Sequence, residues 1–227
     1  MQIGTQLILK DVSASIPKHS FTVLLGNNGA GKTTLIDCMM GFKFPTGGRI
    51  SVLGFDPGTD PHESRQKIAY LSEKVDLPGD WSVDDFLAFH RYFYHEYSRE
   101  TEIRLLDMFG VDPGCRISTL SAGELRRVQI AAALAIQPEV IIVDEITAVL
   151  DIVGRHKFMA YLAEEVRKKR TTVFLATNIL EDLTIHATHL LLLKTGEPAK
   201  AVTMTEFLDG LPENLFSRKV ATYLEAA

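Results

Sequence analysis

Six short runs of aliphatic and branched residues recur along the 227-residue chain, separated by longer segments in which polar and apolar positions are mixed. Each run is continuously apolar rather than alternating, which is typical of strands covered on both faces of a parallel sheet. Helical patterns fall between several of these runs. The pattern therefore predicts an α/β fold with strands at FTVLL (21–25), RISVL (49–53), KIAYL (67–71), VIIV (140–143), TVFLA (172–176) and HLLLL (189–193).

A long segment without a strand signal lies between the third and fourth runs, and its pattern predicts helices throughout. The first helix is predicted to begin in WSVDDFL, where Ser82 and Asp85 have the spacing of a capping box. We therefore expect one domain, 1–227, built from a core (1–72 and 138–194), an inserted helical subdomain (73–137) and a short helical tail (195–227).

Composition and charge exclude several function classes. The formal net charge is −5, and because binding to nucleic acid through its phosphates needs clustered Lys and Arg, no nucleic-acid partner is predicted. The basic run RKKR (167–170) is better explained as the solvated last turn of a helix. Cys38 and Cys115 lack the spacing of a zinc site. No apolar stretch approaches the roughly 18 residues of a membrane span, so any membrane role is exerted from outside the bilayer.

The segment GNNGAGKTT (26–34) follows the first apolar run and precedes the helical pattern TTLIDCMM. Strand, glycine-rich loop, Lys-Thr and helix in this order match the phosphate-binding loop of P-loop NTPases. Gly29 and Gly31 would let backbone N–H groups turn toward the phosphates. Lys32 would reach the β- and γ-phosphates, and the Thr33 hydroxyl would ligate Mg²⁺. An empty glycine-rich turn is the weaker alternative. The predicted nucleotide-binding residues of the loop are Gly26, Asn27, Asn28, Gly29, Ala30, Gly31, Lys32, Thr33 and Thr34.

An acidic pair ends the VIIV run. Asp144 follows four apolar residues, and NTPases of this type use a carboxylate at the end of a neighbouring buried strand to hold the Mg²⁺ water shell. Glu145 comes next and is placed to polarise an attacking water as a general base. A strand can also end in acidic residues simply because it meets solvent, but beside a phosphate loop we favour the catalytic interpretation.

In the segment LSAGELRRVQIAAALAIQPEVIIVDE (120–145), a helical pattern that starts near Ser121 precedes the strand that ends in Asp144 and Glu145. Ser121 is a good helix N-cap, which is its purely structural explanation. The phosphate loop, the LSAGE segment and the Asp-Glu pair follow one another in this order. On these motifs the chain resembles the nucleotide-binding subunits of ABC transporters over nearly its whole length. The resemblance implies that Ser121, Ala122 and Gly123 bind the γ-phosphate of an ATP held by a partner subunit, and that Asp151 of ITAVLD crosses the dimer interface.

The resemblance also implies the wider assembly. Two nucleotide-binding subunits, identical or paralogous, would sandwich two ATP molecules with Mg²⁺ and drive a separate membrane subunit from the cytoplasmic face of the membrane. The leader MQIGTQ lacks the aromatic residue that stacks on adenine in the family, so we expect modest nucleotide affinity or base selectivity.

Two polar positions depart from the family pattern. Asn178 in LATNILEDL stands where the switch histidine is expected, and an amide can bind γ-phosphate or water but cannot be protonated near neutral pH. We therefore expect slow hydrolysis. Glu73 in IAYLSEKVDL replaces the usual glutamine; its carboxylate can accept hydrogen bonds from Mg²⁺-bound water while adding negative charge. His186 and His189 are interpreted as surface or packing residues rather than replacements.

Aromatic residues are dense between residues 81 and 97. One set shares a helical face and is interpreted as the core of the helical subdomain: Phe86, Phe89, Phe93 and Tyr97. Trp81, Tyr92 and Tyr94 fall off that face, and exposed aromatics are typical anchors of protein interfaces. Because the family receives its membrane subunit beside this segment, docking is predicted near Glu73 to Tyr94.

The leading hypothesis is an ATP-hydrolysing motor subunit of an ABC transporter, most similar to bacterial exporters whose membrane domains are separate polypeptides. The alternative is a switch subunit that dimerises on ATP but hydrolyses weakly beside a more active paralogue. Soluble ABC-type ATPases of chromosome maintenance or translation are disfavoured, because the chain has no coiled-coil insertion, tandem cassette or basic surface. The predicted catalytic residues are Glu145, Lys32, Asn178 and Glu73, and the predicted metal-binding residues are Thr33, Asp144 and Glu73.

Overall fold

A computed structural model describes residues 2–3, 6–72, 77–145, 150–177, 186–210, 212 and 215–225. Its strands are β1 (Gln2–Ile3), β2 (Gln6–Leu7), β3 (Phe21–Gly26), β4 (Ile68–Leu71), β5 (Val140–Asp144), β6 (Thr172–Ala176), β7 (His189–Leu193) and β8 (Lys200–Thr203). The main sheet has the order β4-β5-β6-β3-β7-β8. Its first five strands pair in parallel, and β8 is antiparallel to β7. The predicted α/β fold with a mostly parallel sheet is confirmed.

Five of the six predicted strands form, and the prediction of a strand at 49–53 is wrong. Val52 and Phe55 exchange two backbone hydrogen bonds, of 2.9 and 3.0 Å, and form a single isolated pair. Between them Leu53 and Gly54 have φ values of 56° and 89°. Positive φ at both central positions is the geometry of a tight hairpin turn, so the chain reverses before a longer strand can form.

The helices are α1 (Lys32–Met39), α2 (Pro61–Gln66), α3 (Val83–Phe93), α4 (Arg99–Phe109), α5 (Ala122–Ala135), α6 (Ile152–Arg167), α7 (Met204–Leu208) and α8 (Phe216–Glu225), with a 3₁₀ turn at Ile117–Thr119. Helices α3 to α5 fall within the segment predicted to be helical. The predicted capping box is confirmed, since the Asp85 N–H donates to Ser82 Oγ at 3.0 Å and the Ser82 N–H donates to Asp85 Oδ2 at 3.1 Å. Within the described ranges no helix is long and apolar enough to cross a bilayer.

The main sheet is covered on both faces, as its continuously apolar strands predict. Phe21, Val23 and Leu25 of β3 pack into one buried cluster with side chains of α3 to α6 and α8. Leu24 of the same strand packs into a second cluster on the opposite face, together with Ile36 of α1. This packing fixes the carboxyl ends of β3, β5 and β6 at one edge of the sheet, which is the usual location of ligand sites in open α/β sheets.

Candidate functional site

The loop between β3 and α1 is arranged to bind an anion. Helix α1 begins after Gly31, whose φ is 97°, and no described side chain caps its first turn. Helices α3, α5 and α6, by contrast, begin with side-chain caps. Unpaired N–H groups and the positive end of the helix dipole therefore meet at the start of α1, where a phosphate can bind.

The loop is packed closely against its surroundings. A methyl group on Gly26 would lie 2.7 Å from the carbonyl oxygen of Leu193 at the end of β7. Helix α8 also reaches the loop, since the Asn27 side-chain amide donates a 3.4 Å hydrogen bond to the Leu224 carbonyl oxygen. Glycine at position 26 is therefore required by a close backbone approach, and the contact with α8 was not predicted from the sequence.

Lys32, the predicted phosphate-binding residue, and Glu145, the predicted general base, meet at this edge of the sheet. The Lys32 side chain is only 5% exposed, and its Nζ lies 3.3 Å from Glu145 Oε1. The same nitrogen donates to the carbonyl oxygen of Gly26 at 2.9 Å. Glu145 has a φ of 53°, and its N–H donates to the Ala176 carbonyl oxygen at 3.0 Å. The cation that would bind phosphate is thus held by oxygens of the protein.

Thr33 and Asp144 also come together, with the Thr33 hydroxyl donating to Asp144 Oδ1 at 3.5 Å. Burial raises the pKa of the Asp144 carboxyl, and the charges of Glu145 and Asp37 raise it further, while the hydrogen bond from Thr33 and the charge of Lys32 lower it. A buried carboxylate beside a hydroxyl is a donor set that fits Mg²⁺, which binds one or two protein oxygens together with phosphate and water.

The sequence analysis missed two neighbours of Asp144. Burial and the charges of Asp144 and Asp37 raise the pKa of Tyr70 to about 12. Asp37 is paired with Lys43 at 2.7 Å and lies four positions after Thr33 on α1, which brings the two residues to the same face of the helix. That helical spacing was the available signal for Asp37, whereas no local pattern links Tyr70 to the acidic strand.

Ser121, Ala122 and Gly123, the residues predicted to bind the γ-phosphate of a partner's ATP, lie at the exposed start of α5. Ser121 caps this helix, and it forms a capping box with Glu124. Its hydroxyl donates to Glu124 Oε2 at 2.6 Å, and hydrogen bonds from Ser121 lower the pKa of the Glu124 carboxyl. Ser121 and Ala122 are exposed, and Gly123 is partly exposed. This helix start is therefore accessible to another chain.

Asp151 caps α6 rather than lying free. Its Oδ1 accepts a 2.6 Å hydrogen bond from the Gly154 N–H, and its Oδ2 accepts from the Arg127 guanidinium of α5. The Gly154 N–H and the Arg127 charge lower the pKa of the Asp151 carboxyl. Asp151, the residue predicted to cross the dimer interface, thus joins the start of α6 to α5 within one chain.

Two predicted catalytic residues, Glu73 and Asn178, lie outside the described residues, so their roles stay predictions. The described histidines agree with a packing or surface role. The His186 ring lies 6.4 Å from the Phe21 ring, and His189 Nδ1 lies 2.9 Å from the Thr188 hydroxyl, within hydrogen-bonding distance.

An exposed aromatic surface, formed by Trp81, Phe89, Tyr92 and Phe93, lies along α3. The Trp81 and Phe89 rings are 5.8 Å apart, and the Phe89 and Phe93 rings are 4.6 Å apart. Phe86 is buried, but Phe89 and Phe93 are 48% and 50% exposed, so their interpretation as core residues is wrong. Tyr97 lies beyond the end of α3 and is partly buried, with its hydroxyl donating to Glu102 Oε2 at 2.7 Å, so the predicted shared helical face extends only from Phe86 to Phe93.

A cavity of about 290 Å³ lies beside this aromatic surface. Its walls come from β4, α3 and α5, and they include Tyr70, Leu77, His90, Tyr94 and Gln129. Tyr94 is therefore partly buried in the cavity wall, unlike the exposed Trp81 and Tyr92.

The fold and the converging loop, lysine and acidic pair define a P-loop NTPase. A profile of the family described as ABC transporter matches residues 9–148. The energy-coupling factor transporter ATP-binding protein EcfA2 of Ligilactobacillus salivarius is 31% identical over 95% of this chain and 77% of its own length. The protein of the same name from Symbiobacterium thermophilum is 33% identical over 93% of this chain and 74% of its own length. The chain belongs to the ABC transporter family.

Solved structures give the same fold. The structure described as the ATP-binding subunit of an ABC transporter has a TM-score of 0.84 at 23% identity, covering 94% of this chain and 93% of its own. The cbiO1 protein of Clostridium perfringens, part of the ABC transporter complex cbiONQ, has a TM-score of 0.75 at 25% identity, covering 96% and 90%. The predictions of an ATP-binding subunit of an ABC transporter and of an ABC-type ATPase are confirmed.

Proposed function

We propose that this chain is a motor subunit that closes with a second nucleotide-binding subunit around two Mg·ATP molecules and thereby drives a separate membrane subunit. The observation that carries the proposal is the convergence of the uncapped start of α1 with Lys32, Thr33, Asp144 and Glu145 at one edge of the sheet. The proposed unit is one domain, with helices α3 to α5 as the inserted subdomain.

The Lys32 contacts suggest how the site accepts its substrate. The Lys32 ammonium is paired with Glu145 and with the Gly26 carbonyl oxygen. The β- and γ-phosphates of ATP are stronger acceptors and bind the same nitrogen together with the N–H groups of the loop. The Glu145 carboxylate is then released to orient the attacking water and accept its proton.

Thr33 and Asp144 are the proposed holders of Mg²⁺, with Glu73 as a contributor through bound water. When bound, the cation neutralises charge on the transferred phosphoryl group. Bound Mg²⁺ would add a positive charge beside Asp144, whose carboxyl has its pKa raised by burial despite the nearby charge of Lys32. Asn178 is proposed to hydrogen-bond the γ-phosphate or the water. Because an amide cannot share a proton near neutral pH, we expect slow turnover.

The second subunit is proposed to complete each site. Ser121, Ala122 and Gly123 form an exposed helix start, where a γ-phosphate would compete with the Glu124 carboxylate for the Ser121 N–H and hydroxyl. Asp151 lies at the start of α6 and would approach the partner from the same surface. Whether the partner is a second copy or a paralogue is decided by the turnover experiment below.

The membrane partner is proposed to dock near Glu73 to Tyr94, on the exposed aromatic surface and its cavity. Exposed aromatics around a cavity are favourable interface anchors because they bury a large apolar area at low entropic cost. The relatives are named as subunits of energy-coupling factor transporters, and we propose a membrane partner of that class. The chain would then act at the cytoplasmic face of the membrane; the exporter subclass stays a prediction.

Docking is tested by co-purification with a candidate membrane component of an energy-coupling factor transporter from the same organism. We expect Trp81→Ala with Tyr94→Ala to reduce complex formation, whereas Ile103→Ala, which removes an exposed apolar side chain from α4, should leave it intact. Unchanged binding and coupled turnover in the double variant would remove this part of the proposal.

Motor function is tested by Mg²⁺-dependent ATP turnover of the purified chain over a range of protein concentrations, with Glu145→Gln as the blank. Turnover that rises more than linearly with protein and vanishes in the variant supports a homodimeric hydrolase. Turnover that appears only with a second nucleotide-binding subunit supports a heterodimer. ATP binding without turnover in either setting contradicts the motor and leaves a switch.

A further inference from the structure

Helix α5 is tied to the end of strand β4 by a buried arginine. Arg126 is 4% exposed, and its Nη1 donates hydrogen bonds to the Ser72 carbonyl oxygen and to Gln129 Oε1, the second at 2.8 Å. Nη1 carries two N–H bonds, so one nitrogen can serve both acceptors. The guanidinium therefore links a backbone group of one element to a side chain of another.

The first acceptor lies next to the nucleotide site. Ser72 directly follows β4, and the sheet register pairs Leu71 with Val143 of β5. Asp144 follows Val143, so Ser72 leaves the sheet at the level of the proposed Mg²⁺ ligand. A shift of Ser72 would therefore change the chain segment that begins beside Asp144.

The second acceptor faces the cavity at the proposed docking surface. Gln129 lines this cavity together with Tyr70, His90 and Tyr94. A polar group that enters the cavity can hydrogen-bond the Gln129 amide and compete with Arg126 for its oxygen. An apolar side chain that fills the cavity presses on the same wall. In either case occupancy of the cavity changes a contact of Arg126.

We propose that Arg126 is a positioning residue that transmits occupancy of the cavity to the carboxyl end of β4, and from there to the nucleotide site. The inference rests on the proposed function, because it joins the proposed docking cavity to the proposed nucleotide site. Coupling between sites is reciprocal, so nucleotide binding must also change the conformation or the ligand affinity of the cavity. This reciprocity allows a test on the isolated chain.

Trp81 provides the readout because it is the single tryptophan of the chain and packs against Phe89 on the exposed aromatic surface. We would titrate the chain with Mg·ADP and follow both the Trp81 emission and the dissociation constant by calorimetry. Wild type is expected to bind with a shift in emission. Arg126→Gln, which is too short to reach both acceptors, should still bind Mg·ADP but lose the shift. Arg126→Lys should keep part of the shift.

Arg104→Gln is the matched control. Arg104 of α4 also links two elements, through a 3.4 Å hydrogen bond to the Tyr161 hydroxyl of α6, but its partner does not line the cavity. We expect the full emission shift in this variant. Gln129→Leu is a second test that keeps Arg126 and removes only the acceptor in the cavity wall, and it too should lose the shift. It serves in place of Arg126→Gln if that variant does not fold.

Three results overturn the inference. The emission shift persists in Arg126→Gln or Gln129→Leu, or it is lost equally in Arg104→Gln, or wild type binds Mg·ADP without any shift. A wild-type chain that binds no nucleotide in the calorimeter contradicts the proposed nucleotide site instead, so failure of the proposed function is distinguished from failure of the coupling.

Discussion

Replacing Gly26 by alanine should weaken both the fold and nucleotide binding. The backbone φ of Gly26 lies outside the left-handed region, so the cost is purely steric. The new methyl group would lie 2.7 Å from the Leu193 carbonyl oxygen and 3.0 Å from Ala30 Cβ. Leu193 O belongs to the backbone of β7 and cannot rotate away, so the loop has to move. Overpacking of this kind costs about 1–3 kcal/mol, and the stiffer unfolded chain offsets about 0.4–1 kcal/mol of it.

A net loss of about 1–2 kcal/mol corresponds to a fall in the unfolding midpoint of roughly 2–8 °C for a domain of this size. Because the loop carries the N–H groups proposed to bind phosphate, its displacement should also weaken Mg·ADP binding by about tenfold, equivalent to about 1.4 kcal/mol. Circular dichroism on heating and calorimetric titration measure the two effects.

Gly47→Ala is the matched control for this substitution. Gly47 also has a φ outside the left-handed region, but a methyl group there would meet nothing within 4 Å. We expect an unchanged or slightly higher midpoint, because alanine lowers the entropy of the unfolded chain. Wild-type stability and affinity in Gly26→Ala, or an equal loss in Gly47→Ala, would refute the steric argument.

Three further substitutions test the site. Burial raises the pKa of Asp144, so the folded chain binds more protons than the unfolded chain between the two pKa values and gains stability as pH falls through that window. Asp144→Asn should therefore raise the midpoint at neutral pH, flatten this pH dependence and abolish Mg²⁺-dependent turnover; a lower midpoint would contradict the electrostatic argument. Ser121→Ala should cost about 0.5–2 kcal/mol of stability through the lost helix cap. The variant should also lose turnover while it still binds Mg·ADP. Normal turnover would exclude the proposed role of Ser121 at the ATP of the partner subunit. Asp151→Ala should lower the free energy of unfolding, measured by chemical denaturation, by more than Asp151→Asn, which keeps the cap and loses only the ion pair with Arg127; equal losses would argue against capping as the cause.

Local sequence patterns were sufficient to predict the elements that position the site. The strand ending at Gly26 and the strand ending at Asp144 are continuous apolar runs, and the start of α3 carries a complete capping box at Ser82 and Asp85. The meeting of Lys32 with Glu145 follows because the carboxyl ends of parallel strands share one edge of the sheet. Each of these predictions depends on short-range chemistry and a general rule of topology.

Contacts between distant positions left no such pattern. Arg126 and Ser72 are 54 positions apart, and nothing in either segment indicates that the side chain of one caps the backbone of the other. The exposure of Phe89 and Phe93 likewise depends on what covers α3, which periodicity cannot report. The failed strand at 49–53 had the right composition, but the turn at Leu53 reversed the chain too early.

Three residues that break ordinary local rules lie together at the proposed nucleotide site. Lys32 and Asp144 are each 5% exposed, a burial that charged side chains rarely reach without a strong partner. Glu145 has a φ of 53°, which costs a residue other than glycine on the order of 1 kcal/mol or more. Bound phosphate would give Lys32 a stronger partner, and bound Mg²⁺ would do the same for Asp144. Because these costs fall on groups that the proposed substrate would satisfy, Mg·ADP should stabilise the folded chain, and the same groups should favour a Mg-nucleotide over other ligands.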